Sequence, residues 1–357
     1  MMEKMSKRER VTAAFKGEAV DRPPFAFWGH HYDMEYSLAG HVSSTLWWQR
    51  YLDVDILKVQ CRASYHGEDW GLRFQYEQAS PFVGVNMFYK PPEKVTKSPQ
   101  LVAPAIKTAK DWETLPLLNP SHGALGERLA SVGLIQAGLA QMGEEPLVFE
   151  TVFSPLGIAA RMVGASGGKR LDVMQGYIRD NPEALHKGLQ VITTTFRNYV
   201  SAILESGADG IFFATTDWAS HDLLSSAEYA EFGRQYDLQV LEAMQGSPVI
   251  LHVCNQQNML YALLDYPVDA FSWAPSDPGN PTLKAVHREA PARAVMGGLS
   301  KTALTESSSD KAVAEAKQAY AETGGVGWIC APDCSVPPEC SPANMLAVTK
   351  YVRSLAD

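Results

Sequence analysis

At residues 249–254 a strand-like apolar run, VILHVC, ends with an imidazole and a thiol two positions apart. Side chains i and i+2 of a strand share a face, so His252 and Cys254 point the same way. A neutral imidazole and a thiolate at that spacing suit Zn²⁺, which takes three or four N/S ligands in a tetrahedron. Two donors do not make a site; the third must come from another strand end. The segment VGWICAPDCSVPPECSP (326–342) offers three thiols. Cys334, just past the apolar run, is best placed to reach inward, ahead of Cys330 within it and Cys340 beyond a proline pair. Any one of these residues alone is more often packing than ligand; the trio at one rim favours metal. Two thiolates soften zinc, which then suits holding a thiol as its thiolate better than making hydroxide. Alkyl transfer to or from sulfur is the favoured chemistry.

Other polar residues fall at strand ends. His30 and His31 follow PFAFWG (24–29), Glu150 lies within LVFETVF (147–153), Asp217 and His221 follow GIFFATT (210–216), and Asp277 follows DAFSWA (269–274). His30, Glu150 and Asp217 are the catalytic candidates: Glu150 as a further ligand or general base, Asp217 to orient a ligand or substrate hydroxyl. For each acid an N-cap or internal ion pair is at least an equal alternative. Trp28, Trp218 and Trp273 lie near the same rim and are candidates for a flat apolar pocket that takes an aromatic or corrin-like ligand, although buried Trp is usually plain core.

The positioning elements follow from these runs. With DILKVQC (55–61), VILHVC (249–254), RAVMGGL (293–299) and VGWICA (326–331), there are eight short apolar segments, as parallel strands buried on both faces require. Helical patterns fill most gaps, with Ser225 or Ser226 and Ser341 as N-caps and Gly324–Gly325 as a C-cap. The alternation predicts an α/β fold, a (β/α)8 TIM barrel, as a single domain over 1–357. Residues 62–145 fit no tidy unit and are read as an insertion after the second strand, a candidate lid. GASGGKR and MGGLSK are read as turns. No P-loop, dinucleotide fingerprint, nucleophile elbow or HExxH motif is present.

The 357 residues carry a formal charge of −9, 46% apolar and 20% charged residues, which argues against nucleic acid or an anionic membrane as partner. No apolar run approaches membrane-spanning length. Five cysteines, an odd number, suit free or metal-bound thiols in a reducing compartment, and the cytoplasm is the expected location.

Stretches spanning nearly the whole chain carry a family resemblance: RERVTAAFKGEAVDRPP, VFSPLGIAARMVG, GADGIFFATTDWAS, VILHVCN and APDCSVPPECSPANMLAVTKYVR. The sequence resembles the uroporphyrinogen decarboxylase superfamily, and more closely its zinc-dependent corrinoid methyltransferase branch, similar to coenzyme M methyltransferases and O-demethylases of methoxylated aromatics. The resemblance implies a (β/α)8 barrel and a zinc held by an H-x-C pair and a later cysteine, which fall on His252, Cys254 and Cys334. It implies methyl transfer between a corrinoid co-substrate (methylcobalamin or a separate corrinoid protein) and a thiol or methoxylated small molecule. A homodimer is one arrangement the chain allows. The decarboxylase branch fits less well: FAFWGHHYD lacks the arginines that grip carboxylates, Gln60 and Cys61 stand where an aspartate is expected, and Cys334 replaces a histidine. A decarboxylase of a smaller carboxylate, using His30 and Asp217, is the alternative, and a non-catalytic corrinoid or small-molecule binding barrel the third reading. Departures from the methyltransferase pattern are Asn255 after H-x-C, where glycine is common, and Asp333 before Cys334.

Overall fold

The short apolar runs become strands because β-branched and aromatic side chains pack well on both faces of a pleated sheet. The computed structural model describes residues 3–62, 65–76 and 98–356. In chain order the strands are β1 (Ile56–Val59), β2 (Arg73–Gln75), β3 (Gln100–Ala103), β4 (Leu147–Phe153), β5 (Gly210–Ala214), β6 (Val249–Val253), β7 (Ala270–Trp273), β8 (Ala294–Leu299) and β9 (Trp328–Pro332). Seven form one sheet, ordered β1-β4-β5-β6-β7-β8-β9, and every neighbouring pair is parallel. β2 and β3 pair antiparallel as a separate ribbon.

PFAFWG (24–29), expected as the first strand, is instead an irregular stave. Ala26 N donates to Cys330 O and Cys330 N to Pro24 O on one side, while Asp55 N donates to Phe25 O on the other. Pro23 and Pro24 have no N–H to give a ladder, so pairing is confined to isolated bridges at Phe25–Cys330 and Gly29–Val336. The segment still spans the gap between β9 and β1, and the architecture is an α/β barrel of TIM type.

Side-chain alternation sorts residues into two cores. Ala26, Trp28, Ile56, Phe149, Phe212, Ile250, Met296 and Ile329 fill the barrel interior. Leu57, Val59, Val148, Val152, Val253, Trp273 and Cys330 pack outward against the helices. Each fully buried side chain of this size contributes ~1.5–3 kcal/mol. The helix Lys7–Phe15 crosses the N-terminal ends of the strands: Lys7 and Arg8 pair with Glu144 and Asp209, just before β4 and β5. Its Phe15 meets Phe149 edge-on and plugs that end, leaving the C-terminal end as the open mouth.

The expected helices form with their caps. Ser341 caps Pro342–Arg353, and Gly324 at φ 66° ends Asp310–Thr323. Ser225 and Glu228 make a reciprocal capping box. The helix expected after it is interrupted by a π-turn at Ala230–Arg234. Of the expected insertion, residues 63–64 and 77–97 lie outside the described residues. The rest holds the β2–β3 ribbon and the helix Gly123–Met142, which is the regular crossover between β1 and β4. Among the described residues no helix is long and apolar enough to cross a membrane.

Candidate metal centre and its cavity

His252 lies on β6 with its side chain inward, in phase with Ile250, and Cys254 follows one residue past the strand. Cys334 comes from the loop after β9. The three offer ligand atoms that all lie within 4.8 Å of one another. The Cys254 and Cys334 sulfurs are 3.7 Å apart and not disulfide-bonded. Two sulfurs bound to zinc at ~2.3 Å and a tetrahedral angle stand ~3.8 Å apart, so the thiol pair is already at the spacing that ion needs, with the imidazole within reach.

The surroundings hold this geometry. β6 and β7 are in register, setting Ser272 beside His252. The Ser272 hydroxyl and His252 Nδ1 are 3.1 Å apart, which leaves Nε2 as the nitrogen that faces the thiols. Asn255 adopts φ 74°, a left-handed conformation that Asn tolerates better than most residues and that explains why glycine also serves there. Asp333 fastens the Cys334 loop: its carboxylate accepts from Gly298 N and Ser276 Oγ, each at 2.9 Å. The two thiols are within hydrogen-bond reach of each other. The hydrogen bond between them holds Cys334 well below the usual thiol range, helped by His252 and Lys301, and pushes Cys254 well above it.

The trio forms part of the wall of a cavity of about 480 Å³ at the barrel mouth, within the range for small-molecule sites. Trp28, Tyr32, Phe74, Phe153 and Phe212 supply aromatic surface, and the β2–β3 ribbon adds Gln100 and Leu101. The GASGGKR loop folds over the rim, and Gly167 N donates to Asp217 Oδ2 at 3.1 Å. Beside Asp217, Thr216 sits at φ 56°, where β-branched residues are strained.

His30 and Asp217 line this cavity with the trio. Both ring nitrogens of His30 are engaged, Nδ1 with Glu35 and Nε2 with Gln60, each at 2.8 Å. Three expectations are corrected. Glu150 is on the outward face of β4, fully buried, and paired with Arg128 at 2.8 Å, so it reaches neither metal nor substrate. Trp273, in register with the outward Val253, donates to Pro281 O. Trp218 is buried in the outer core after β5. Of the three tryptophans only Trp28 lines the cavity, because alternation turns Trp273 away and a 3₁₀ turn tucks Trp218 beneath the rim. Cys330 faces outward, and Cys340 donates to Ser341 O.

Sequence reasoning missed a set of cations and their partners. Lys58 and Gln60 point inward from β1 and the residue after it, and Arg161, Lys169 and Arg170, from the segment after β4, also line the cavity. A lysine flanked by apolar residues in DILKVQC, two places from the inward Ile56, was the available signal for Lys58. Nothing local marks the other three, which come from a helix end and a loop.

Residues 6–355 match the family described as uroporphyrinogen decarboxylase (URO-D). The uroporphyrinogen decarboxylase of Synechococcus sp. (strain CC9605) is 28% identical over 182 residues, covering 50% of this chain and 49% of that protein. That of Prochlorococcus marinus (strain AS9601) is 25% identical over 197 residues, covering 54% and 53%. The chain thus matches about half the length of these curated relatives. A methyltransferase from Methanosarcina mazei superposes with a TM-score of 0.79 at 18% identity, covering 98% of this chain and 99% of that one. A B12-independent methionine synthase from Shewanella sp. W3-18-1 gives 0.52 at 10% identity, covering 94% and 92%. The likeness to both solved structures is one of fold.

Proposed function

Given that the chain belongs to the uroporphyrinogen decarboxylase (URO-D) family, we propose that it is a zinc-dependent methyltransferase on that family's barrel. It moves a methyl group between a corrinoid and a thiol or methoxylated small molecule. The observation that carries this reading is the imidazole and two thiols converging within 4.8 Å at the mouth. A zinc ion there would keep a bound thiol deprotonated, or polarise an ether oxygen, at neutral pH. The residues do the rest: Ser272 fixes the His252 ring, Asp333 pins the Cys334 loop, and Trp28 and Phe212 offer apolar surface beside the reacting methyl group. In the thiol direction, methylcobalamin and a thiol give a thioether, cob(I)alamin and a proton. We place the corrinoid on a separate protein docking at the mouth.

A decarboxylase acting on a small carboxylate is the second reading, favoured by the four cations Lys58, Arg161, Lys169 and Arg170 on the cavity wall. Metal analysis and a methyl-transfer assay separate the two. The purified, reduced protein is expected to bind about one zinc per chain, and Cys254→Ser to lose it while keeping its circular dichroism. Methylcobalamin should be consumed with a member of a thiol panel, or formed from cob(I)alamin and a methoxyarene. Protein that binds no zinc, or a zinc-replete Cys254→Ser variant, overturns the metal site. Carbon dioxide release from carboxylates without methyl transfer selects the decarboxylase.

A further inference from the structure

Lys58 is a charged residue where the fold needs none. Its side chain is buried at 4% exposure inside the barrel, and a methionine would fill the same space without desolvating a charge. An ammonium has three N–H donors. One goes to Gln60 Oε1 at 2.8 Å, and among the described residues no carboxylate pairs with Lys58. Nζ lies 5.3 Å from the Trp28 ring centroid and 4.6 Å from that of Phe212. Phe212 also packs against His252, their ring centroids 5.2 Å apart, so one aromatic ring touches both the ammonium and the metal-ligating imidazole.

The partner of Lys58 is itself held. Gln60 Nε2 donates to His30 Nε2, and His30 Nδ1 donates to the buried Glu35. The chain of bonds runs one way, from ammonium to carboxylate, and leaves the remaining Lys58 donors available to the cavity. The other ionisable groups around Lys58 are the Cys61 and Cys334 thiols and, across the sheet, the Glu150–Arg128 pair. Glu150 is already neutralised by Arg128, Cys61 is pushed up to about 11 by burial, and two thiolates on a dication cancel. Among the described residues, then, no carboxylate forms an ion pair with Lys58, although Asp217 lines the same cavity.

We propose that Lys58 determines substrate specificity: its ammonium holds an anionic oxygen of a small aromatic ligand lying against the Trp28–Phe212 pair, whose own rings are in contact at 5.2 Å. The aromatic walls supply the face for a ring, and a buried cation favours a carboxylate or phenolate over a neutral isostere. This deepens the methyl-transfer reading by giving its small-molecule substrate a ring and a negative charge. It rests on that reading only for where the reacting group must point.

The test is calorimetric binding of 4-methoxybenzoate and 4-methoxybenzamide to the full chain at pH 7. It is run on zinc-stripped and zinc-loaded protein, so that direct ligation of the acid to metal is separated out. In the stripped protein the acid should bind at least tenfold more tightly than the amide. Lys58→Met should lose at least tenfold for the acid and change amide affinity less than twofold, whereas Lys169→Ala and Arg170→Ala should keep the preference. Equal binding of acid and amide by the wild type overturns the proposal, whether or not Lys58→Met folds. So does a preference that survives in Lys58→Met, or one that vanishes in Arg170→Ala or Lys169→Ala. An intact acid preference in a protein that binds no zinc would remove the methyl-transfer reading and leave the role of Lys58 standing.

Discussion

Replacing Ser272 by alanine tests whether the metal centre is built as described. The hydroxyl lies 3.1 Å from His252 Nδ1, and Ser272 and His252 are 0% and 5% exposed, so water has little access to replace it. Without that partner the ring loses its fixed tautomer and orientation, while the three ligand atoms remain. Loss of such an outer partner typically lowers metal affinity 10–100-fold, or ~1.4–2.7 kcal/mol. The assay is competition for zinc against a chromophoric chelator, run beside thermal unfolding of the metal-free protein. Ser272→Ala should weaken zinc by that factor, and Cys254→Ser, which removes a ligand outright, by much more. Affinity within twofold of wild type would refute the orientation argument. A loss as large as that of Cys254→Ser would mean that Ser272 does more than orient.

Two further perturbations probe the scaffold. Glu150→Gln leaves the buried Arg128 guanidinium without its counter-charge and should destabilise the protein by ~3–5 kcal/mol in urea unfolding. Zinc content should stay unchanged; metal loss at full stability would return Glu150 to the site. Asp237, buried beneath the hydroxyls of Tyr229 and Tyr266, has its carboxyl pushed up to about 7 by burial, against 3.8 unperturbed, with the tyrosine hydrogen bonds opposing. The folded state therefore favours the protonated form. The penalty is absent below pH 4, grows as pH rises through that interval and is complete above 7, on the order of 4 kcal/mol. Asp237→Asn should lack this decline, and wild-type and variant stability curves running parallel from pH 4 to 8 would refute it.

The trio was legible because two of its members share one strand, where a spacing of two fixes a common face whatever the rest of the fold does. Cys334 was legible from its place just past the last apolar run. Glu150 and Trp273 were misplaced for one shared reason. In a run such as LVFETVF every position is apolar enough for either face, so the alternation is known but its phase is not. His252 fixed that phase for β6, and the register between β6 and β7 carries it to Trp273, but register is a tertiary fact. PFAFWG has strand composition, yet Pro24 has no N–H and the segment pairs through isolated bonds. Lys169 and Arg170 meet Arg161, at the end of the helix Pro155–Met162, only because the loop after Met162 folds back over the mouth, which no local pattern encodes.

The stave at residues 24–29 ties the first part of the barrel to the last. Because it is stitched to Cys330 on one flank and to Asp55 on the other, the cylinder cannot shut until the last strand has been synthesised and has returned to the first. Cys334 arrives with that same strand. A nascent chain still short of it presents one imidazole and one thiol on an unsealed sheet, too few donors to capture zinc tightly. Sealing of the barrel and assembly of the His252, Cys254 and Cys334 trio are thus one late, long-range event. Metal capture should report on the finished fold rather than guide its early steps.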